Sequence, residues 1–166
     1  GNTSYIAVNK GLSVDRLFLV GCGKSNKPLN NEEMDKVVMS VTNCLTSKKS
    51  TSGIVSLPSL KYEANTRKDE DLLQKIGTSI ESKVYTYDAK LNKKNKKINF
   101  LKKVSVSIDS KENNAKLKKG LKVGQAIGQG MNVAKDLANL PGNVCTPSYL
   151  ATTSRAASKK YKKLSC

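Results

Sequence analysis

The chain has 166 residues, with 30 Lys and Arg against 13 Asp and Glu, a formal net charge of +17, and no histidine. That length suits one domain plus an appendage, and no apolar run approaches the roughly 18–20 residues a membrane-spanning helix needs. The lack of histidine removes Ser-His-Asp and Cys-His machinery, His-ligated zinc and imidazole acid–base chemistry, and leaves any metal site to carboxylates.

Two short β-prone runs bounded by glycine open the chain, Ser4 to Val8 and Arg16 to Val20. Asn30 then reads as a helix N-cap, with Glu33 three residues on as in a capping box. Met34, Val37, Val38, Val41 and Leu45 follow at helical spacing and define one buried face. Gly53 to Leu57 reads as a third strand, closed by Pro58. Asp69 to Ile80 reads as a second amphipathic helix with Leu72, Leu73, Ile76 and Ile80 inward. Lys83 to Tyr87 is expected to be a strand, and Lys90 to Lys97 a solvated basic loop. From Leu101 to Ile108 apolar and polar residues alternate, which predicts a half-buried strand near a sheet edge, with lysines discouraging edge pairing. Strands alternating with helices argue for a layered α/β domain.

From Asn114 to Leu140 the pattern is helical throughout, with Leu117, Leu121, Ile127, Met131, Ala134 and Leu137 expected near one face. Gly120, Gly124 and Gly128 recur every fourth residue along it. Each costs about 0.8–1 kcal/mol relative to alanine in a helix interior. Three on one stripe predict a close backbone approach by another helix or the sheet. The helix stops at Pro141, and Thr146 as N-cap with Pro147 at the first position starts a last one. Its inner face is expected to be Leu150, Ala151, Ala157, Tyr161 and Leu164.

Several groups resemble known chemistry and are better explained structurally. Gly21-Cys22-Gly23-Lys24 follows a strand, yet lacks the spacing of a phosphate-binding loop and reads as a tight turn. Gly124-x-x-x-Gly128-x-Gly130 sits inside a helix, not after a strand, so it is not a dinucleotide fingerprint. Asp69, Glu70 and Asp71 are consecutive helical positions that point in different directions, and favour the helix dipole over a shared cation. Cys145 lies in a turn before a helix, where a thiol pKa can fall, but it has no histidine to work with. Cys22, Cys44, Cys145 and Cys166 show no C-x-x-C pair and are expected to be free thiols. Only Arg16, Arg67 and Arg155 among the basic residues are arginine. A lysine-dominated charge fits a compositional bias better than base or phosphate reading, which favours arginine's planar fork. The lysines of 90–97 and Lys159, Lys160, Lys162 and Lys163 are two runs that a polyanion could use. Phe100 and Tyr161 are too few aromatics for a stacking platform.

The stretch from Gly124 to Ala151 carries the most information. Its Gly130, Asn132, Ala134, Asp136, Leu137, Asn139, Pro141, Asn143, Thr146, Pro147, Leu150 and Ala151 resemble the segment joining the two domains of the leucyl (cytosol) aminopeptidases, with Lys135 where that family more often has arginine. Asp15 to Lys24 resembles the strand and glycine turn in the middle of that family's N-terminal domain. The resemblance implies a macro-domain-like fold, a mixed sheet between helices, followed by a long linker helix. It divides the chain into an N-terminal α/β domain over 1–112, a linker helix over 113–141 and the start of a metallopeptidase catalytic domain over 142–166. A first residue of Gly and not Met fits a processed or internal piece, so elements of the domain can precede it.

What the resemblance implies for function is a hexameric, cytoplasmic hydrolase that removes N-terminal residues from peptides. Two divalent metals, zinc or manganese, activate a water there. This portion would serve assembly and access to the active site, with the catalytic domain of the same protein as its partner. The motifs carrying the metal ligands lie outside these residues, so no catalytic, metal or cofactor residue is assigned, and the chain by itself is expected to be inactive. Asp136, beside Lys135 and Asn139, is expected to be a hydrogen-bonded anchor at the domain junction. Some bacterial relatives also bind DNA, so a nucleic-acid-binding or regulatory module using the basic surface is the alternative. A stand-alone ligand-binding macro-like domain is a third reading, resting on fold analogy alone.

Overall fold

A computed structural model describes residues 2–7, 11, 13–24, 26–47, 50–63, 69–87 and 100–165. Among them the chain is mixed α/β, with four helices and two small sheets. β1 (Thr3–Ala7) pairs antiparallel with β2 (Arg16–Val20), Thr3 opposite Val20 and Ala7 opposite Arg16. The Tyr5 and Phe18 rings meet across this pair with centroids 5.2 Å apart, the cross-strand aromatic contact that stabilises a ladder.

Helix α1 (Asn31–Thr46) begins at the expected capping box. The Glu33 N–H donates to Asn30 Oδ1 at 2.9 Å, and the Asn30 N–H donates to the Glu33 carboxylate at 3.0 Å. Two donors that the helix cannot satisfy internally are thereby matched. β3 (Ser52–Leu57) runs parallel to β4 (Lys103–Ile108), Ser52 opposite Lys103 and Leu57 opposite Ile108. A parallel pair needs a crossover, and α2 (Asp69–Val84) lies between the two strands in sequence. β4 alternates exposed and half-buried residues, as its sequence alternation predicts.

Helix α2 corrects one expectation. Lys83 and Val84, read as the start of a strand, are its last residues, and Tyr85 to Tyr87 belong to neither helix nor strand. The helical period explains this, because Val84 continues the Leu73–Ile76–Ile80 face at steps of three and four residues. The basic stretch 90–97 lies outside the described residues.

The core forms where α1 and α2 meet β3. Met34, Val37, Val38 and Val41 from α1, Leu72, Leu73 and Ile76 from α2, Val55 and Leu57 from β3, Leu29, and Leu117 make one buried cluster. Burying each such side chain contributes about 1.5–3 kcal/mol. Ile54, on the opposite face of β3, is 72% exposed. Within the core, the buried Thr42 hydroxyl donates to Val38 O at 2.8 Å and shares a hydrogen bond with Ser79 Oγ, which ties α1 to α2.

Helix α3 (Asn114–Asn139) is 26 residues long, capped at its start by the Asn113 side chain and followed by Pro141. It lies against α2. α4 (Pro147–Lys160) starts at the Thr146 cap as expected and buries none of its residues. Its expected inner face is largely open, with Leu150 exposed, and Tyr161 and Leu164, also exposed, fall beyond its end.

Candidate functional site

The strongest constellation on the molecule is the seam between α2 and α3, and the glycines build its first half. A Cβ at Gly120 would run into the carbonyl of Glu70, one at Gly124 into the peptide of Gln74, and one at Gly128 into Glu81 Cβ. On α2, a Cβ at Gly77 would lie 2.9 Å from Leu121 O and 3.3 Å from the Gly124 carbonyl carbon. The two backbones therefore touch, and only glycine permits it. The Thr78 hydroxyl reaches across to Gly124 O at 3.1 Å. The stripe is thus explained by packing on a helix. Gly77, the matching residue on α2, carries only a faint signal in the sequence, a lone glycine among the apolar positions of an otherwise regular helix.

This geometry corrects the expected face of α3. Leu117 is buried and Leu121 half-buried beside the stripe, but Ile127, Met131 and Ala134 are exposed. Gly120, Gly124 and Gly128 face α2, and Ile127 and Met131 flank that contact, along the groove shared with α1.

Polar side chains form the second half of the seam. Asn132 Nδ2 donates to Glu81 O at 3.0 Å, and Lys135 Nζ donates to Ser82 Oγ at 2.6 Å. Lys135 also stands 5.1 Å from the centre of the Tyr85 ring, within cation–π range. The Tyr85 hydroxyl donates to Asp136 Oδ1 at 2.7 Å and accepts from Asn139 Nδ2 at 3.3 Å. Partial desolvation and then the Asp136 carboxylate push the Tyr85 hydroxyl above its ordinary pKa. Asp136, Lys135 and Asn139 converge on the end of α2, as an anchor would. Tyr85, the group they share, could not be paired with them from sequence because 51 residues separate it from Asp136.

The other candidates are not brought together. Gly23 adopts a φ of +90°, a conformation that favours glycine, and the Asn30 cap of the next helix is already filled by Glu33. The Cys22 thiol rests 3.5 Å from Val20 O and burial raises its pKa; burial also raises that of Cys44. Cys22, Cys44 and Cys145 are free thiols. Asp69 accepts from the Tyr62 hydroxyl at 2.8 Å while its N–H donates to Glu112. Burial, and next that hydrogen bond, push the Tyr62 hydroxyl well up. Glu70 instead lies along Gly120, so the acids of the first turn diverge. A groove of about 660 Å³ crosses the outer side of α2, between Met39 of α1 and Ile127 and Met131 of α3. Its acid, Asp35, is paired with Lys75. Among the described residues no three His, Cys, Asp or Glu side chains gather where a metal ion could be held. These acids do not fit the metal pair that the resemblance implies. Among the described residues, no helix is long and apolar enough to cross a membrane.

These features define an α/β unit whose long third helix is locked to it through a glycine and polar seam, with no convergent catalytic groups among the described residues. The chain belongs to the cytosol aminopeptidase family, whose N-terminal domain model matches residues 1–94. It is 32% identical over 157 residues to a probable cytosol aminopeptidase of Nitrosococcus oceani, covering 93% of this chain and 30% of that protein. A probable cytosol aminopeptidase of Bordetella avium is 32% identical over 165 residues, covering 99% of this chain and 32% of that protein. One of Azoarcus sp. is 33% identical over 154 residues, covering 92% and 30%. The chain thus spans about a third of the length of the curated relatives it matches.

Proposed function

We propose that this chain is the non-catalytic N-terminal portion of a leucyl aminopeptidase-type metalloexopeptidase, which removes N-terminal residues from peptides in the cytoplasm. In this reading residues 1–112 form a macro-domain-like unit, 113–141 a linker helix, and 142–166 the start of the catalytic domain. The portion serves hexamer assembly and access to the active site. The two divalent metals, zinc or manganese, are held by residues other than those described here. The observation that carries the reading is the α2–α3 seam. A 26-residue helix has its first half pressed backbone to backbone against α2 and its second half held by Lys135, Asp136 and Asn139. Such a helix suits the connection of one domain to the next. The test is hydrolysis of leucine p-nitroanilide by the 166-residue chain with added manganese or zinc. No turnover is expected. Turnover that follows the purified chain and is abolished by a chelator would overturn the reading.

The basic surface supports a second reading, a polyanion-binding module. Lys116, Lys118, Lys119 and Lys122 are exposed on α3, and none of them pairs with an acid among the described residues. A salt titration of binding to random duplex DNA decides it, because affinity from phosphate contacts falls steeply and linearly in log–log form with salt. The absence of such binding at low salt removes this reading.

A further inference from the structure

Helix α3 is held to the molecule in two physically different ways along its length. From Leu117 to Gly128 its backbone lies against that of α2, with no room for a Cβ at Gly120, Gly124 or Gly128. From Asn132 to Asn139 side chains make the contact: Asn132 bonds to Glu81 O and Lys135 to Ser82 Oγ, while Asp136, Asn139 and the Lys135 cation–π contact gather on Tyr85 at the protein surface. Hydrogen bonds of this kind exchange readily with water, whereas the glycine contact opens only if the two helices separate as bodies.

Gly130 sits at the change from one regime to the other. A Cβ there would meet nothing within 4 Å, so packing does not require glycine. Glycine nevertheless weakens the helix locally by about four- to fivefold relative to alanine. With Gly128 two residues earlier, this is the stretch of α3 whose backbone resists bending least, and paired small residues are among the recognised sites of helix kinks. The helix is continuous through it here.

We propose that α3 bends at Gly128–Gly130, and that the seam of Tyr85, Lys135, Asp136 and Asn139 is a releasable clasp that holds it straight. When closed, the clasp fixes the direction in which the Pro141 turn and α4 leave the α/β unit. When open, that direction is free, while the glycine-locked half stays docked. Hinges of this type absorb a domain motion in a few backbone torsions far from any chemistry. The inference concerns this chain's own seam and stands whether or not the assembly role proposed above holds.

Hydrogen exchange with mass spectrometry on the full-length protein tests it, comparing the parent with Tyr85→Phe and Gly130→Ala. Tyr85→Phe keeps the ring under Lys135 and removes only the hydroxyl shared by Asp136 and Asn139, so the fold is expected to survive. Amides 131–134 donate to the carbonyls of 127–130 across the bend, and they should then exchange about fivefold faster, with those of 117–127 unchanged. Gly130→Ala should slow amides 131–134 by about fourfold. Equal acceleration of 117–127 and 131–134 in Tyr85→Phe would mean that α3 opens as one body, which overturns the hinge. Unchanged exchange of 131–134 in Tyr85→Phe overturns the clasp, and unchanged exchange in Gly130→Ala overturns the bend at that glycine.

Discussion

Gly124→Ala places a single methyl group where two helices already touch. The added carbon would lie 2.8 Å from the Gln74 carbonyl carbon and 2.9 Å from Gln74 Cα, and closer still to the Gln74 oxygen. Non-bonded carbons rest about 3.5–4.0 Å apart, so α2 and α3 must separate by roughly 0.7–1 Å. Neither clashing group is the end of a flexible side chain, so rotamer changes cannot absorb the shift. Separation also loosens Gly77 against Leu121 and the bond from Thr78 to Gly124 O, now 3.1 Å. Overpacking of this kind costs about 1–3 kcal/mol, and rigid backbone on both sides puts it at the upper end. Alanine's better helix propensity offsets about 0.8–1 kcal/mol. The net is a loss of about 1–2 kcal/mol, or about 2–8 °C in Tm for a chain of this size. Gly130→Ala is the matched control. It offers the same propensity gain with no clash, and should raise Tm by about 2–4 °C. Thermal unfolding followed by circular dichroism measures both. If Gly124→Ala raises Tm as Gly130→Ala does, the two helices do not meet through their backbones and the reasoning fails.

Asn30→Ala should destabilise α1 by about 0.5–2 kcal/mol in urea unfolding, because it removes one side of the capping box. Glu33 in that box has a pKa lowered below 4.5 by the Asn30 N–H and then by Lys27. Its contribution is therefore fully present above that value and lost as pH falls through the folded one. Alanine keeps the residue-30 N–H that Glu33 accepts and loses only the non-titrating Asn30 Oδ1 acceptor. Wild type and Asn30→Ala should therefore lose this contribution together in acid, and the difference between them should stay nearly constant. Tyr85 titrates in the opposite sense. Its folded pKa lies above the ordinary 10.0, so the seam's hydroxyl contribution is complete below about pH 10 and disappears as pH rises through the folded value. A spectrophotometric titration that gives wild type and Asp136→Asn the same tyrosine profile counts against that pairing. In the isolated 166-residue chain, the amides of α4 should exchange fast, since 14 residues with no buried face make a marginal helix. Slow exchange of Leu150 to Lys160 in a monomeric sample contradicts this.

The local patterns were legible because their physics is local. Asn30 and Glu33 specify a capping box three residues apart, Thr146 and Pro147 a helix start, and Met34 to Val41 a buried helical face; all are found where the sequence places them. The glycine stripe announced a close contact because three helix-weakening residues at one spacing need a tertiary reason. The sequence could not name its partner. That α2 fills this place, and that Gly77 faces Gly124, depends on residues some fifty positions apart meeting. The same limit accounts for the misplaced strand at Lys83–Tyr87. Its alternating pattern is weak, and the continuing Ile80–Val84 face carries α2 through Lys83 and Val84, while Tyr85 to Tyr87 are neither helix nor strand. It also accounts for Ile127 and Met131, apolar at helical spacing yet exposed. Periodicity finds the faces of a helix, but only packing against a neighbour decides which face turns inward. Here backbone contact at three glycines overrode the larger side chains.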